Sequence, residues 1–153
     1  MVITDVKNGE KIEAQIESLT TEDYKQIRKD KRFNFDWDTE KYSEVFKLTL
    51  DNQILGLISL KTVLEQLYIE INLLEISREN VGREKKYENI AGCLIAYACR
   101  LSFKRGCDGF VCLIPKTELK DHYNRQYGMK FMGLKNYTDS ENSKKLIERY
   151  LED

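Results

Sequence analysis

The sequence predicts an α/β (α+β) domain in which a mixed central β-sheet is flanked by helices on both faces. Three observations predict it: an early pair of strand-like segments around a polar turn, later segments that alternate between strand and helix periodicity, and a helix-like run from Ile90 to Phe103. Apolar residues cover almost the whole circumference of that run, so the helix must be covered by other elements. Because 153 residues suffice for one core and are too few for two ordinary domains, residues 1–153 are predicted to form a single domain.

The first half of the chain is predicted to form a strand, a helix and a hairpin. Residues 11–19, KIEAQIESL, alternate apolar and polar side chains as a half-buried strand does. TTEDYKQIRK then offers a threonine cap and an acidic first turn, which indicates a helix. After an aromatic stretch, EVFKLTL and ILGLISLKTV lie on either side of the polar turn DNQ, which predicts a strand pair.

The second half is predicted to alternate strands and helices. LYIEINLLEIS is an apolar strand interrupted by Glu70 and Glu75, and the buried helix follows it. GFVCLIPK is a strand that the only proline ends, and TELKDHYNRQYG is a helix capped by Thr117 and terminated by Gly128. MKFMG is a short strand, and DSENSKKLIERYL is an amphipathic helix.

Composition and charge exclude several classes of protein. The hydrophobic fraction of 41% and the charged fraction of 33% are typical of a globular chain. A net charge of -1 gives no global attraction to nucleic acid or to an anionic membrane. The N-terminus does not resemble a signal peptide, and no segment has the roughly 18 unbroken apolar residues of a membrane span. We therefore expect a cytoplasmic protein with no membrane partner, and nucleic acid is disfavoured as a partner.

Cysteine and histidine usage argues against metal and triad chemistry. The four cysteines show no CxxC spacing and lie mostly in apolar runs, which predicts buried free thiols. His122 is the only histidine, and neither GxSxG nor HExxH accompanies it. We therefore expect no metal site and no Ser-His-Asp triad.

The segment before the buried helix is suited to bind an anion. The N–H groups of a first helical turn, with the helix dipole behind them, favour phosphates. Asn89 can adopt a left-handed turn, Ala91 and Gly92 leave the backbone open, and Lys85 and Lys86 add positive charge. A pyrophosphate would fit such a site. An ordinary helix start with solvated lysines remains an open alternative.

The order of these elements resembles the GNAT superfamily of acyl-CoA-dependent N-acetyltransferases from about Lys11 to Gly133. The signature of that family opens the buried helix as [RQ]-x-x-G-x-[GA], and Lys86 and Asn89 here replace its first residue and its central glycine. The resemblance implies acetyl-CoA as cosubstrate. The residues that it implies in pyrophosphate binding are Lys86, Tyr87, Asn89, Ile90, Ala91 and Gly92.

The preceding strand extends the resemblance to the reacting groups. EINLLEIS has the form E-I-x-x-x-x-I-S of histone-type family members, which implies Glu70 as the general base. By position, the resemblance implies that the backbone of Leu74 and Ile76 holds the pantetheine arm and that the Leu74 amide faces the thioester oxygen. An exposed or ion-paired strand residue is the alternative for Glu70. Glu75, which points to the opposite face of a regular strand, is the second choice as base.

A tyrosine in the next helix is implied as the acid that protonates the thiolate. Family members usually place it four residues before a glycine, whereas Tyr123 precedes Gly128 by five. Tyr123 can therefore be the acid only if the helix ends with one extra residue. The alternative is that Tyr123 is a packing residue. Tyr127 and His122 are weaker candidates for the acid.

The aromatic stretch RFNFDWD has two interpretations. In the family this region lines the acceptor pocket, where the three rings and the acids Asp36 and Asp38 would receive a cationic amine. Alternation puts rings and acids on opposite sides of an extended chain, so inward packing is favoured. The rings are those of Phe33, Phe35 and Trp37.

Together these features predict an N-acetyltransferase that transfers an acetyl group from acetyl-CoA to a primary amine by direct transfer in a ternary complex. No covalent enzyme intermediate and no metal are expected. The acceptor is a small-molecule or protein amine that the sequence does not name, and a homodimer is left open. The rival interpretation is a non-catalytic CoA-binding or protein-interaction domain on the same fold.

Overall fold

The structure, a computed structural model, describes residues 1–115 and 119–152 and contains a seven-stranded mixed sheet, a three-stranded sheet and four α-helices in those residues. This confirms the predicted α/β class. The strands are β1 (Val2–Asp5), β2 (Lys11–Glu13), β3 (Gln15–Ser18), β4 (Glu44–Leu50), β5 (Gln53–Val63), β6 (Tyr68–Ile76), β7 (Tyr87–Glu88), β8 (Val111–Leu113), β9 (Lys130–Met132) and β10 (Lys135–Thr138). The helices are α1 (Thr21–Asp30), α2 (Ile90–Lys104), α3 (Lys120–Tyr127) and α4 (Ser140–Tyr150). The cap predicted at Thr117 lies outside the described residues.

The seven-stranded sheet has the order β3-β4-β5-β6-β8-β10-β9, and the three-stranded sheet has the order β2-β1-β7. Strands β6 and β8 pair in parallel, with Ile69, Glu70 and Ile71 opposite Val111, Cys112 and Leu113. The pairs β3/β4, β8/β10 and β9/β10 are antiparallel, so the sheet is mixed.

The structure confirms the predicted threonine cap of α1 and the predicted hairpin turn between β4 and β5. Thr20 caps α1, because its hydroxyl accepts from the Asp23 amide at 3.2 Å while the Asp23 carboxylate accepts from the Thr20 amide at 2.9 Å. Between β4 and β5, Asp51 and Asn52 have φ of 50° and 65°. Two left-handed residues are what a tight two-residue hairpin turn requires.

Residues 11–19 do not form the single strand that their alternation predicts. They divide at Ala14 into β2 and β3, which belong to different sheets. The Ala14 amide donates to the carbonyl of Met1 at 3.1 Å, and β1, which the sequence did not predict, pairs with β2. A long-range partner at the N-terminus therefore overrides the local period.

Strand β10 was also missed, because its inward face is polar. Asn136 and Thr138 are fully buried, which reverses the usual pattern of apolar residues inside. The side-chain amide of Asn136 donates to the Lys120 carbonyl at 3.3 Å, and the Thr138 hydroxyl lies 3.0 Å from that of Ser143. These hydrogen bonds are formed with α3 and α4, so no local pattern could reveal them.

The contacts divide the chain into two compact units, which are described separately. The first unit comprises Met1–Ser59 and Leu73–Leu94, and the second comprises Leu60–Asn72 and Ile95–Asp153. The expectation of a single domain over residues 1–153 stays a prediction. A buried cluster in the first unit joins α1, the aromatic stretch and the hairpin; its members are Ile27, Phe33, Trp37, Val45, Ile54 and Leu57.

Helix α2 is buried along its length, as its composition predicted. In the first unit, Gly56 of β5 makes room for its start, because a Cβ there would lie 2.7 Å from Ile90 and 2.9 Å from Leu94. All four cysteines are buried and free, which confirms their prediction as core thiols. Among the described residues, no helix has the length and apolar character needed to cross a lipid bilayer.

Candidate active site

The start of α2, in the first unit, has the backbone that the sequence predicted. Asn89 lies in the left-handed region with a φ of 76°, and its carbonyl accepts from the Cys93 amide at 3.0 Å. The first-turn amides of Ile90, Ala91 and Gly92 come before that bond, so they lie outside the helical hydrogen-bond ladder. Three N–H groups at a helix start therefore remain to receive an anion.

A buried asparagine holds the loop that leads to this turn. The Asn80 side chain accepts from the Tyr87 amide at 2.9 Å and donates to the Ser77 hydroxyl at 2.9 Å. The Lys86 amide donates to the Glu79 carbonyl at 3.1 Å, and Tyr87 begins the short strand β7 that pairs with β1. Asn80 could not be singled out from the sequence, because an asparagine in a polar loop resembles a solvated turn residue.

Two basic side chains flank the turn in different ways. Lys85 Nζ lies 3.5 Å from Glu88 Oε1, so part of its charge is offset. Lys86 Nζ lies 5.6 Å from the centre of the Tyr87 ring. Lys86, at the first position of the family signature, thus has its ammonium group over the ring of the next residue, Tyr87.

Leu74 and Ile76 lie in the last part of β6 with half-buried side chains. The parallel register with β8 ends at Ile71, so both residues lie beyond the part of β6 that pairs with β8. Their implied roles depend on backbone groups rather than on side chains, and those roles stay predictions.

Glu75 is a buried carboxylate that fixes the aromatic stretch. One of its oxygens accepts from the Asn34 amide at 2.5 Å, and the other accepts from the Phe35 amide at 3.1 Å and from Trp37 Nε1 at 2.8 Å. Its side chain is therefore surrounded by three donors of one segment. This arrangement explains the second carboxylate of β6 as a structural group.

The aromatic stretch packs inward at two of its three rings. Phe33 and Trp37 are buried, as the alternation favoured, whereas Phe35 is 38% exposed. The Phe35 backbone is nevertheless held, because its amide donates to Glu75. Asp36 accepts from the Asp38 amide at 3.2 Å, and Asp38 lies 3.4 Å from Arg28, so both acids have local partners.

Glu70, in the second unit, is partly buried and paired with a lysine that the sequence did not single out. Lys135 Nζ lies 3.5 Å from Glu70 Oε1 and 5.5 Å from the centre of the Tyr68 ring. Lys135 belongs to the missed strand β10, so its proximity to β6 could not be inferred. An ion-paired strand residue was the open alternative for Glu70, and its role as a base stays a prediction.

Cys112 lies directly opposite Glu70 in the sheet. Burial raises the pKa of its thiol to about 11, and this outweighs the lowering effect of the Lys135 charge. The thiol is therefore neutral at pH 7, and Cys112 contributes a small, weakly polar side chain beside the carboxylate.

Helix α3 ends at Gly128, as the sequence predicted. Gly128 is left-handed, and its amide donates to the carbonyls of both Asn124 and Tyr123, while the Met129 amide donates to the Tyr123 carbonyl at 3.3 Å. Such bonds around a left-handed glycine commonly close a helix, so the acid role of Tyr123 stays a prediction. Burial raises the pKa of Tyr123.

The two weaker candidates for the acid differ from Tyr123 in exposure. His122 is exposed, and Tyr127 is buried against the Tyr150 ring, with centroids 6.1 Å apart. Tyr123 is intermediate, and its ring lies 6.0 Å from that of Tyr127. Of the two tyrosines, Tyr123 is therefore the more accessible, and the assignment of the acid stays a prediction.

The sequence matches no protein-family model and no curated protein. Solved structures are similar in fold. A chimaera of spermidine N-acetyltransferase SpeG from Vibrio cholerae and hSSAT has a TM-score of 0.62 at 14% identity, with 86% of this chain and 99% of that chain covered. A GNAT family acetyltransferase from Brucella melitensis in complex with acetyl-CoA has a TM-score of 0.56 at 15% identity, with 83% and 88% covered.

A third similar structure is AtaT complexed with acetyl-methionyl-tRNAfMet, with a TM-score of 0.56 at 13% identity and coverage of 88% of this chain and 99% of that chain. Identities at this level show the fold and not the activity. The chain therefore has the GNAT fold, as the order of its elements implied.

Proposed function

We propose that this protein is an acetyl-CoA-dependent N-acetyltransferase that transfers the acetyl group directly to a primary amine. The observation that carries the proposal is the left-handed turn at Asn89 immediately before α2 in a chain with the GNAT fold. Such a turn directs first-turn amides at a phosphate, and the helix dipole favours the negative charge. The acetyl-CoA complex of a similar structure is consistent with this cosubstrate.

The cosubstrate is assigned to backbone groups on either side of the loop that Asn80 holds. Its pyrophosphate would bind the turn, and its pantetheine arm would bind the backbone of Leu74 and Ile76. The Leu74 amide would stabilise the oxyanion that forms at the thioester carbonyl. The residues of the turn are Lys86, Tyr87, Asn89, Ile90, Ala91 and Gly92.

The chemistry requires that two protons leave the acceptor nitrogen and that one proton reaches the thiolate. Glu70 takes a proton from the acceptor ammonium, and the neutral amine attacks the thioester carbonyl to form a tetrahedral intermediate. The C–S bond then breaks, Tyr123 donates its phenolic proton to the departing thiolate, and the phenolate takes the second proton from the nitrogen. The products are the acetylated amine and CoA, the proton on Glu70 passes to solvent, and no step needs a metal or a covalent enzyme intermediate.

A second candidate is a non-catalytic CoA-binding or protein-interaction domain. The ion pair between Glu70 and Lys135 favours it, because a carboxylate held by a lysine is a common structural arrangement. Acetyl-CoA turnover distinguishes the two: an enzyme releases free thiol in the presence of an amine, whereas a binding domain retains CoA without turnover.

The similar structures do not fix the class of acceptor. One of them is a spermidine N-acetyltransferase chimaera, and another is a complex with acetyl-methionyl-tRNAfMet. The expectation that nucleic acid is not a partner therefore stays a prediction, as do the cytoplasmic location and a homodimer.

Two substitutions at Asn89 test the proposed cosubstrate site by calorimetry with CoA. Asn89→Pro should abolish binding because proline fixes φ near -65°, far from the observed 76°. Asn89→Gly should preserve or improve affinity, since glycine adopts positive φ without strain. Asn52→Gly is the matched control, because Asn52 is also left-handed but lies in the hairpin turn. Equal CoA affinity of the wild type and the Asn89→Pro variant would sink the assignment.

A further inference from the structure

A cavity in the first unit is lined by residues of α1, of the aromatic stretch and of the turn after β6. Its volume of about 370 Å³ is within the size range of small-molecule sites. Its aromatic lining comes from Tyr24, Phe33, Phe35 and Trp37. Because the Phe35 ring is partly exposed beside two buried rings, the cavity offers an apolar surface to a small ligand.

Glu75 attaches the wall of this cavity to strand β6. Its carboxylate accepts from the amides of Asn34 and Phe35 and from Trp37 Nε1, and all three of these donors belong to residues that line the cavity. Glu75 lies in the part of β6 that the proposed function assigns to the pantetheine arm. One side chain therefore joins the cavity wall to the strand that would carry the thioester.

The acids at the cavity have local partners, whereas two of its cations do not. Asp38 lies 3.4 Å from Arg28, and Asp36 caps a short helical turn by accepting from the Asp38 amide at 3.2 Å. In the part of the chain that the structure describes, neither Lys31 nor Arg78 forms an ion pair. With three basic and two acidic side chains in its described lining, the cavity has an excess of positive charge.

The two unpaired cations come from segments that the backbone holds together. The Arg78 amide donates at 2.9 Å to the carbonyl of Arg32, the residue that follows Lys31. Lys31 ends α1 with a left-handed φ of 53°, where glycine is the usual residue. A lysine at this position costs backbone strain, which indicates that its side chain has a use other than ending the helix.

We propose that this cavity binds the acceptor and that its unpaired cations select primary amines that also carry a carboxylate or phosphate group. The inference rests on the proposed acetyltransferase function and names its substrate class. Lys31 and Arg78 bind the anionic group, because hydrogen bonds between charged groups are about twice as strong as neutral ones. The apolar part of the acceptor contacts the Phe35 ring, beside the wall that Glu75 fixes to β6.

Two matched pairs of amines test this selectivity. Thiol release is measured at saturating acetyl-CoA with phenylalanine and phenylalaninamide, and with O-phosphoethanolamine and ethanolamine. We expect the anionic member of at least one pair to have a kcat/KM about tenfold or more above that of its partner, the scale of one charged hydrogen bond. The pair that shows the preference identifies the anion. Because an anionic group disfavours proton loss from a nearby ammonium, easier deprotonation cannot explain such a preference.

The outcomes of this panel separate the inference from the proposed function. Turnover without a preference for the anionic member in either pair overturns the inference and leaves the acetyltransferase function intact. Absence of turnover with all four amines overturns the proposed function and this inference together.

Substitutions of the two cations assign the preference to the cavity. Lys31→Gly and Arg78→Gln should each lower the ratio of kcat/KM within the preferred pair by about tenfold. Lys31→Gly should not lower the melting temperature, since glycine adopts a φ of 53° without strain. Lys29→Gln is the matched control, because Lys29 is exposed in the last turn of α1 and lies outside the described cavity lining.

An unchanged ratio in both cation variants overturns the inference, as does an equal fall of the ratio in Lys29→Gln. Calorimetry with CoA should give the wild-type affinity for both cation variants. A large loss of CoA affinity in both would place the cations in the cosubstrate site and would also overturn the inference.

Discussion

Strand β6 carries two glutamates five residues apart, and their surroundings differ completely. Glu75 is buried and accepts three hydrogen bonds from the segment Asn34 to Trp37. Glu70 is 23% exposed and has one lysine partner, Lys135. The same residue type on the same strand is thus a structural anchor in the first unit and a candidate for chemistry in the second.

The difference shows that the number of donors around a carboxylate matters as much as its burial. A carboxylate that accepts three N–H bonds from one segment holds that segment in place, and only about one of its roughly four lone-pair sites is left for a ligand. A carboxylate with a single long ion pair can exchange that partner for a substrate ammonium. The predictions below test this contrast, beginning with the largest expected effect.

Glu75→Gln should lower the free energy of unfolding by about 3 kcal/mol, because the new amide group must face a buried N–H donor. Urea denaturation at pH 7 measures the change. Glu22→Gln is the control, since Glu22 forms an exposed pair with Lys25 at 3.9 Å and its loss should cost less than about 1 kcal/mol. A combined Glu75→Gln and Trp37→Phe variant should lose less free energy of unfolding than the sum of the two single variants. The reason is that phenylalanine has no indole N–H, so that donor no longer needs a partner. Similar stability of the Glu75→Gln and Glu22→Gln variants would contradict the anchoring role.

Glu70→Gln should lower turnover about 100-fold or more at neutral pH, the usual range for a lost general base. Activity should partly return at high pH, because the acceptor amine then deprotonates in solution. The melting temperature should change little, since the pair with Lys135 is partly exposed. If the folded Glu75→Gln variant shows a larger pH-dependent loss of turnover than Glu70→Gln, the assignment of Glu70 as the base is wrong.

Tyr123→Phe should lower kcat by about tenfold or more while leaving CoA affinity and melting temperature nearly unchanged. Because burial raises the folded-state pKa of Tyr123 above its ordinary value, the phenol stays protonated at neutral pH and its stabilising contribution falls only as the pH rises above about 10. The pH profile of kcat should therefore show no loss from this residue below that pH. Full turnover in Tyr123→Phe, or a larger loss in Tyr127→Phe, would show that the assignment is wrong.

The smallest expected effect is a difference in reactivity between two buried cysteines, one in each unit. Burial raises the pKa of Cys93, in the first unit, to about 12 and that of Cys112, beside Glu70, to about 11. Both thiols should resist iodoacetamide at pH 8, and Cys112 should react first as the pH is raised, because only the thiolate is nucleophilic. Peptide mass spectrometry of the folded protein measures both sites. Earlier modification of Cys93 would contradict the more open surroundings inferred for Cys112.

Local features of the candidate site could be predicted from the sequence. The left-handed turn at Asn89 follows from its residue type, and the helix after it follows from a run of apolar residues. The end of α3 at Gly128 was also predicted, because glycine adopts the left-handed conformation found there. Each of these features depends on residues within about two helical turns of one another, so short-range sterics and hydrogen bonding determine them.

Partners distant in the chain could not be predicted. Glu75 contacts Trp37 across 38 residues, and Lys135 contacts Glu70 from a strand whose buried face is polar. The loop anchor Asn80 likewise became apparent only from its two buried hydrogen bonds.

The sequence by itself therefore determined the α/β class, the main helices, the hairpin and the turn before α2, because periodicity and caps act locally. Tertiary structure alone decided which glutamate of β6 is held by three donors and which one pairs with a lysine of another strand. The physical reason is that the surroundings of a carboxylate are set by side chains and amides from other strands and loops. Alternation along β6 places each side chain on a face, but it carries no information about what covers that face.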